Sequence, residues 1–360
     1  LPASAVDGPL AAIMSGMRVE GGHQVAFVGN MPPRAASYAR PDPPLPHALQ
    51  RALQQLGIGR LYSHQAEALR LARDGRDLVV VTATSSGKSL CYHLPVLERI
   101  LENREARALY VYPINALIND QFNALARLNL ELGREATSIE RYSGSVSSDY
   151  RKDIRARQPN VLLTNPEMLH LSFLQWHHLW TPLWKNLAYV VLDEVHTYRG
   201  VFGAHMAGLM RRLLRVAHHY GASPQFICCS ATIANPQELV QNLTSRPCDI
   251  VDRDGSASGR RLFVLWNPPL QPGEGENVRR SYAAESVDLL QLALRQDLNT
   301  IVFTRARRVT EQMLRLSHGL VANEAGRDGE LVPQVASYRA GYLAEERETI
   351  EKRLKSGELR

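Results

Sequence analysis

Five short apolar runs punctuate the middle of the chain, at 78–81, 109–112, 161–163, 189–192 and 226–229. None alternates with polar residues. A strand with one wet face alternates with period two, so unbroken apolar runs of this length are expected of strands buried on both faces. Between the runs lie helical stretches. Residues 199–220, for example, place Met206, Leu209, Met210, Leu213, Leu214 and Ala217 on one side. Strand and helix repeated in this way predict an α/β fold with a parallel sheet covered by helices. Ligands in such sheets bind beyond the carboxyl ends of the strands. The residues that directly follow each run are therefore where chemistry is expected.

A length of 360 residues suggests two domains. Residues 1–45 are rich in Pro, Gly and Ala. Pro32, Pro33, Pro41, Pro43, Pro44 and Pro46 disfavour a long helix there, which predicts an extended lead-in. Helices are expected over 47–75, from the spacing of Leu49, Leu53 and Leu56 and again of Ala66, Leu69 and Leu71. A first domain is read over 46–252. The segments DRDGSASGRR and NPPLQPGEGEN then mark 253–280 as a linker. A second series follows over 281–360, with helix 281–295, strand 300–304, helix 309–318, strand 334–338 and helix 344–355. Its roughly 80 residues are few for a complete α/β domain. The chain starts at Leu1 and stops in the charged stretch EERETIEKRLKSGELR. It is therefore expected to be a piece of a longer protein, ending inside its second domain.

The formal net charge of +6 suits a polyanionic partner without demanding one. No apolar run approaches the roughly 18 residues that span a bilayer. The opening LPASAVDGPLAAIM lacks a basic start and a long apolar stretch, so no signal peptide is read, and a cytoplasmic location is expected, at the nucleoid in a bacterium. Cys91, Cys228, Cys229 and Cys248 form no C-x-x-C pair and read as buried free thiols. The pairs His177-His178 and His218-His219 lack the cysteine or acidic companions of a zinc site.

The strongest local signal is Thr82-Ala83-Thr84-Ser85-Ser86-Gly87-Lys88-Ser89, between the run 78–81 and a helix. Backbone amides of such a loop can cradle phosphate oxygens. Lys88 can reach the β- and γ-phosphates, and the Ser89 hydroxyl can bind Mg²⁺. The general pattern begins with glycine, where this chain has Thr82. About 105 residues after Lys88 comes Asp193-Glu194-Val195-His196, directly after the run 189–192. One carboxylate there can hold Mg²⁺ and its neighbour can orient or deprotonate a water. Ser230-Ala231-Thr232 again follows a run directly. Its meaning lies in its place in the order.

Taken in sequence, these segments resemble the motif series of superfamily-two helicases. LYSHQ (61–65) resembles the glutamine motif, ATSSGKS motif I, YPINALINDQ (112–121) motif Ia and TNPEML (164–169) motif Ib. DEVH resembles motif II, SAT motif III and IVFTRAR (301–307) motif IV. TYRGVFGAHMAGLMRRLLR, SATIANP, WNPPL and SYRAGYLAEERETIEKRL are similar, more narrowly, to the YprA/MrfA group of DNA helicases with RecA-like domains, which includes fungal relatives of RecQ helicases. The resemblance covers roughly residues 45–360.

That resemblance implies a P-loop RecA-like domain followed by an incomplete second one, with ATP and Mg²⁺ as cofactors and DNA as partner, single-stranded or carrying a single-stranded tail. It implies that Tyr62 and Gln65 hold the base, with Gln65 reading the adenine edge, and that Thr84, Ser85, Ser86, Gly87, Lys88 and Ser89 hold the phosphates. Ser89 and Asp193 would bind Mg²⁺, Glu194 would act as general base, and His196, Ser230 and Thr232 would couple nucleotide state to strand grip. Pro113, Asn115, Asn165, Pro166, Thr304 and Arg305 would lie along the nucleic-acid backbone. It implies 3′-to-5′ movement on DNA and a context in repair. Motifs V and VI are missing, and motif VI supplies an arginine finger, so slow hydrolysis and unwinding are expected of this chain. Two rival readings stay open: an RNA-dependent ATPase of the DEAD-box type, and an ATP-regulated nucleic-acid clamp without motor activity. Arg211, Arg212 and Arg215 read as a solvated helix face, with DNA contact as the alternative. Trp176, Trp180 and Trp184 read as core, with base stacking as the alternative.

Overall fold

The computed structural model describes residues 25–133, 136–270, 278–328, 334–339 and 341–360. Its strands, in chain order, are β1 (Val25–Met31), β2 (Tyr38–Ala39), β3 (Leu61–Tyr62), β4 (Leu78–Val81), β5 (Arg107–Val111), β6 (Ile139–Arg141), β7 (Val161–Thr164), β8 (Leu187–Leu192), β9 (Gln225–Ser230), β10 (Asp249–Val251) and β11 (Arg261–Trp266). Chain contacts divide it into two units, Pro33–Gly259 and a second containing Arg260–Arg360 with residues 25–32.

The unit Pro33–Gly259 is built on a seven-stranded sheet ordered β10-β4-β9-β8-β5-β7-β6. Every pairing in it is parallel. All five apolar runs are strands here, with bounds shifted by up to two residues. Their lack of alternation has a direct cause. Leu78 and Val80 enter the core on one side of the sheet, while Val79 and Val81 enter the core on the other. Cys91 and Cys229 lie in the first core and Cys228 in the second, so burial explains these thiols. Cys248 is partly buried and, like the others, free. Trp180 and Trp184 are fully buried in the second core. Trp176 is 50% exposed, so core packing accounts for two of the three tryptophans.

The order of strands matters more than their number. β4 and β5 are consecutive in sequence, yet β9 and β8 lie between them. The chain thus reverses direction across the sheet beside β4, which opens a crevice at the carboxyl ends of the strands. The register brings Val81 opposite Ser230, Leu192 opposite Cys228, and Val111 opposite both Leu192 and Thr164. The segments that follow these strands therefore leave the sheet at one edge.

Some expected elements differ. The part of the extended lead-in that is described contains two strands, β1 and β2; residues 1–24 lie outside the described residues. β2 pairs antiparallel with β3. β1 pairs antiparallel with β11, which lies inside the stretch 253–280 read as linker. Apolar residues occupy both faces of β11, and Phe263 and Leu265 are about half exposed, so it carries no period-two signal. Residues 271–277 of that linker lie outside the described residues. The edge strands β6 and β10 were missed because three residues containing an acidic side chain do not form an apolar run.

In the second unit, helices cover Tyr282–Arg295, Arg307–Asp328 and Ala344–Ser356. Ser281 caps the first of these, its Oγ accepting from the Ala283 amide at 3.3 Å. The strands expected at 300–304 and 334–338 are not formed. Ile301, Val302 and Phe303 are exposed, and their backbone groups find no ladder among the described residues. An apolar run becomes a strand only where a neighbouring strand takes up its N–H and C=O groups. Among the described residues, no helix is long and apolar enough to cross a membrane.

Candidate nucleotide-binding site

β4 delivers the chain into the loop 82–88, and the helix Ser89–Glu102 leaves it. The first loop position is Thr82 rather than glycine, and the structure gives the reason. Thr82 is buried, and its Oγ1 lies 2.6 Å from Ser86 Oγ, so a side-chain hydrogen bond closes the turn. Left-handed backbone is needed further on, at Ser85 (φ 64°) and Gly87 (φ 80°). At Gly87 a side chain is excluded twice over, because a Cβ would also stand 2.7 Å from Gln65 Nε2.

The loop's donors point to an anion. The Ala83 amide donates to Asp254 Oδ2, and the Ser86 amide to the Ala83 carbonyl. The amides of Thr84, Ser85, Gly87 and Lys88 have no hydrogen-bond acceptor among the described residues. Lys88 Nζ lies within the same loop, donating to the carbonyls of Thr82 at 3.0 Å and Ala83 at 3.1 Å.

Gln65 also has a structural role that the motif does not name. It is only 2% exposed. Its Oε1 accepts from the Tyr62 amide at 2.9 Å and its Nε2 donates to the Gly87 carbonyl at 3.0 Å. Each polar atom thus makes one hydrogen bond to protein, which braces the phosphate loop, and each keeps a second hydrogen-bonding position. The rings beside it form a stack. Tyr62 stacks on Tyr38 at 5.4 Å, and the Arg60 guanidinium covers the Tyr38 ring at 3.9 Å. A cavity of about 400 Å³ is lined by Tyr38, Arg60, Tyr62, Gln65 and Gly87. Tyr38 and Arg60 were missed because a two-residue strand has no sequence signature, and its pairing is what sets them there.

Asp193 follows β8 and is nearly fully buried. Its Oδ1 accepts from the Glu194 amide at 2.8 Å. Its Oδ2 accepts from the Tyr92 hydroxyl at 3.1 Å, and Tyr92 belongs to the helix that begins at Ser89. The acid and the phosphate loop are therefore tied by one hydrogen bond. Burial pushes the Asp193 carboxyl up to about 6, and the adjacent Glu194 charge adds to the rise; Lys88 opposes it. A serine hydroxyl and a buried carboxylate are oxygen donors of the kind a hard divalent cation takes. The residues present fit Mg²⁺.

The same burial yields a stability prediction. The folded value of about 6 lies above the ordinary 3.8, so the ionised form is disfavoured in the fold. The resulting stability is fully present below about 3.8 and is lost as pH rises through about 6. At neutral pH the penalty is roughly 3 kcal/mol. Asp193→Asn should therefore make the nucleotide-free chain more stable by about 1–3 kcal/mol at pH 7.5, and the gain should vanish near pH 4. Urea unfolding at both pH values checks this; a variant no more stable than the parent at pH 7.5 would contradict it.

Glu194 itself adopts a left-handed conformation (φ 52°), uncommon for a side chain other than glycine, asparagine or aspartate. Strain of this kind concentrates at functional sites. Its Oε2 is 3.1 Å from His196 Nδ1, and the same Nδ1 is 3.3 Å from the Ala231 amide. One nitrogen cannot serve both. Protonated, it donates to Glu194; unprotonated, it accepts from Ala231. His196 thus stands between the acidic segment and the Ser230–Thr232 segment. Ser230 is fully buried with no partner for its Oγ among the described residues, whereas Thr232 is exposed.

The nucleic-acid candidates fall in two groups. Pro113 and Asn115 follow β5, and Asn165 and Pro166 follow the adjacent β7. Asn165 Nδ2 donates to Asn115 Oδ1 at 2.9 Å, and Asn165 Oδ1 accepts from the Met168 amide at 2.8 Å. These four form one cluster. Thr304 and Arg305 belong to the other unit, where Thr304 Oγ1 is 2.6 Å from Thr310 Oγ1 and Arg305 is exposed. Arg211 and Arg215 are exposed, and Arg212 donates to His170 Nδ1 at 2.8 Å. No group of three or more His, Cys, Asp or Glu side chains placed to hold a metal ion occurs among the described residues.

Residues 62–239 match the family model of the DEAD/DEAH box helicases. The chain is 41% identical to the ATP-dependent helicase YprA of Bacillus subtilis (strain 168) over 342 residues, covering 95% of the chain and 44% of YprA. It is 34% identical to the ATP-dependent helicase hrq1 of Schizosaccharomyces pombe over 329 residues, covering 90% of the chain and 31% of that protein. Its structure matches that of the DUF1998 helicase MrfA bound to DNA and AMPPNP with a TM-score of 0.88 and 40% identity, over 96% of the chain and 47% of MrfA. The chain therefore spans less than half the length of each of these relatives.

Proposed function

The chain belongs to the YprA/MrfA group of DEAD/DEAH box helicases, and from that premise we propose that it is the ATP-binding motor of a helicase that translocates on DNA from 3′ to 5′, in DNA repair. Residues 46–252 would form the first RecA-like motor domain and 281–360 part of a second. The observation that carries the reading is the hydrogen bond from Tyr92, on the helix behind the phosphate loop, to Asp193. It joins the two halves of a triphosphate site across one strand edge.

In this reading the free amides of Thr84, Ser85, Gly87 and Lys88 hold phosphate oxygens, with Ser86 keeping the loop's shape, and the Lys88 ammonium moves onto the β- and γ-phosphates. Ser89 and Asp193 would hold Mg²⁺, which when bound supplies charge neutralisation at the phosphates. Glu194 accepts a proton from the attacking water. As it does so, its pairing with His196 weakens, and the imidazole beside the Ala231 amide is freed to move. This passes the change to the Ser230–Thr232 segment. Pro113, Asn115, Asn165, Pro166, Thr304 and Arg305 contact the strand's backbone. The likeness to MrfA in its DNA-bound form supports DNA over RNA. A protein acting in this way works in the cytoplasm, at the nucleoid in a bacterium.

ATP hydrolysis by the chain should rise at least about fivefold with single-stranded DNA, less with RNA of the same sequence, and the effect should weaken as salt rises, because backbone gripping releases counterions. Stimulation by RNA alone would favour an RNA-dependent ATPase. DNA binding without any stimulation, together with no strand displacement on a tailed duplex, would favour a clamp.

A further inference from the structure

The segment 253–256 opens the stretch expected as linker, yet it returns to the phosphate loop. Asp254 Oδ2 accepts from the Ala83 amide at 3.3 Å, across 171 residues of chain. The same oxygen pairs with Arg34 Nη2 at 2.8 Å. Asp254 Oδ1 accepts from the Ser256 amide at 2.9 Å and from Ser256 Oγ at 2.7 Å. Gly255 is knitted in on both sides. Its amide donates to His64 Nδ1 at 3.1 Å, and its carbonyl accepts from the Ser37 amide at 2.8 Å. Only glycine permits this approach, since a Cβ there would stand 2.3 Å from Ser63 Oγ and 2.7 Å from the Ser37 carbonyl. His64 is buried beside Asp254 and against the backbone of Ser86.

The consequence for the loop is geometric. Its entry, at Ala83, is held by Asp254, and its far side, at Gly87, is held by Gln65. Three of the four unpaired amides, those of Thr84, Ser85 and Gly87, lie at or between these anchors, and that of Lys88 follows directly. A loop fixed at both sides loses little conformational entropy when an anion binds. A carboxylate this close to a triphosphate would also repel it, and Arg34 offsets that charge. Although burial alone would raise it, hydrogen bonds from Ser256, Arg34 and Ala83 bring the Asp254 carboxyl down to about 2, so it is ionised at working pH.

We propose that Asp254 is a positioning residue of the phosphate loop, with Arg34 as its charge partner. Together they preset the loop for the triphosphate. The proposal rests on the nucleotide-site reading above.

Equilibrium binding of ATP with Mg²⁺ to the whole chain tests it, with Asp254→Asn, Arg34→Ala, the double variant and Lys88→Ala measured together. Asp254→Asn should weaken ATP binding about tenfold, the scale of one charge-assisted hydrogen bond. Arg34→Ala should weaken it about fivefold, and more at low salt than at high salt, because the exposed Asp254 charge is then unscreened. The double variant should bind no more weakly than Asp254→Asn alone, since both changes break one interaction. Melting of each variant without nucleotide separates folding from binding. If Asp254→Asn folded less stably but bound ATP like the parent, the proposal would be overturned, and additive losses in the double variant would do the same. Should Asp254→Asn fail to fold, Arg34→Ala decides alone through its salt dependence, and a loss equal at both salt levels refutes the pairing. ATP binding by Lys88→Ala at parental affinity would instead bring down the nucleotide reading itself.

Discussion

Replacing Lys88 with alanine should remove measurable ATP binding. The ammonium of Lys88 sits inside the phosphate loop, donating to two of its carbonyls at 3.0 and 3.1 Å. It is the cation of the loop itself, and in the proposed reading it turns from those carbonyls to phosphate oxygens. Charge-assisted hydrogen bonds to two phosphates contribute about 1.5–3 kcal/mol each, so their loss weakens binding by roughly 10²-fold or more. The fold should tolerate the change, because Lys88 is partly exposed and belongs to no core. Titration with a fluorescent ATP analogue gives the result directly. Affinity within about a factor of two of the parent would remove the phosphate-loop assignment.

Glu194→Gln should have the opposite profile, with binding kept and turnover lost. Glutamine has the same shape, so the left-handed backbone at position 194 and its hydrogen bonds, from the Thr197 amide at 2.9 Å and from Thr197 Oγ1 at 2.8 Å, should be preserved. What disappears is the ability to take a proton. General-base contributions run to about 10²–10⁴ in rate. Single-turnover hydrolysis should fall by that factor, while the ATP dissociation constant changes less than about threefold. A variant that hydrolysed ATP at the parental rate would show that Glu194 is not the base. One that lost binding as well would mean that Glu194 holds the nucleotide rather than the water.

The two changes differ in where their effects arise. In the proposed reading Lys88 would act on a ground state, the bound triphosphate, and Glu194 on a step that matters only when the water attacks. Asp193 is a third case, where function and stability should pull apart: burial disfavours its ionised form in the fold, and in the proposed reading a cation beside it would offset that.

Much of this site was legible in the residue order. Strands buried on both faces write themselves as unbroken apolar runs, and residues 82–89, 193–196 and 230–232 each follow one directly. That pattern is local and depends only on burial, so it survives in a one-dimensional reading. The runs at 300–304 and 334–338 show its limit. Apolar character is necessary for a buried strand, but the strand forms only beside a partner, and composition says nothing of partners.

From its sequence alone, this chain determined the α/β class, the phosphate loop, the acidic pair and their order along the chain. Tertiary structure alone decided that Gln65 turns inward to hold Gly87, that a Thr82–Ser86 bond replaces a glycine, and that Asp254 reaches back across 171 residues to Ala83. These are hydrogen bonds between groups distant in sequence or hidden in a turn. Their existence depends on which strand ends the sheet places side by side, and that adjacency is a property of the folded chain, not of any stretch of it.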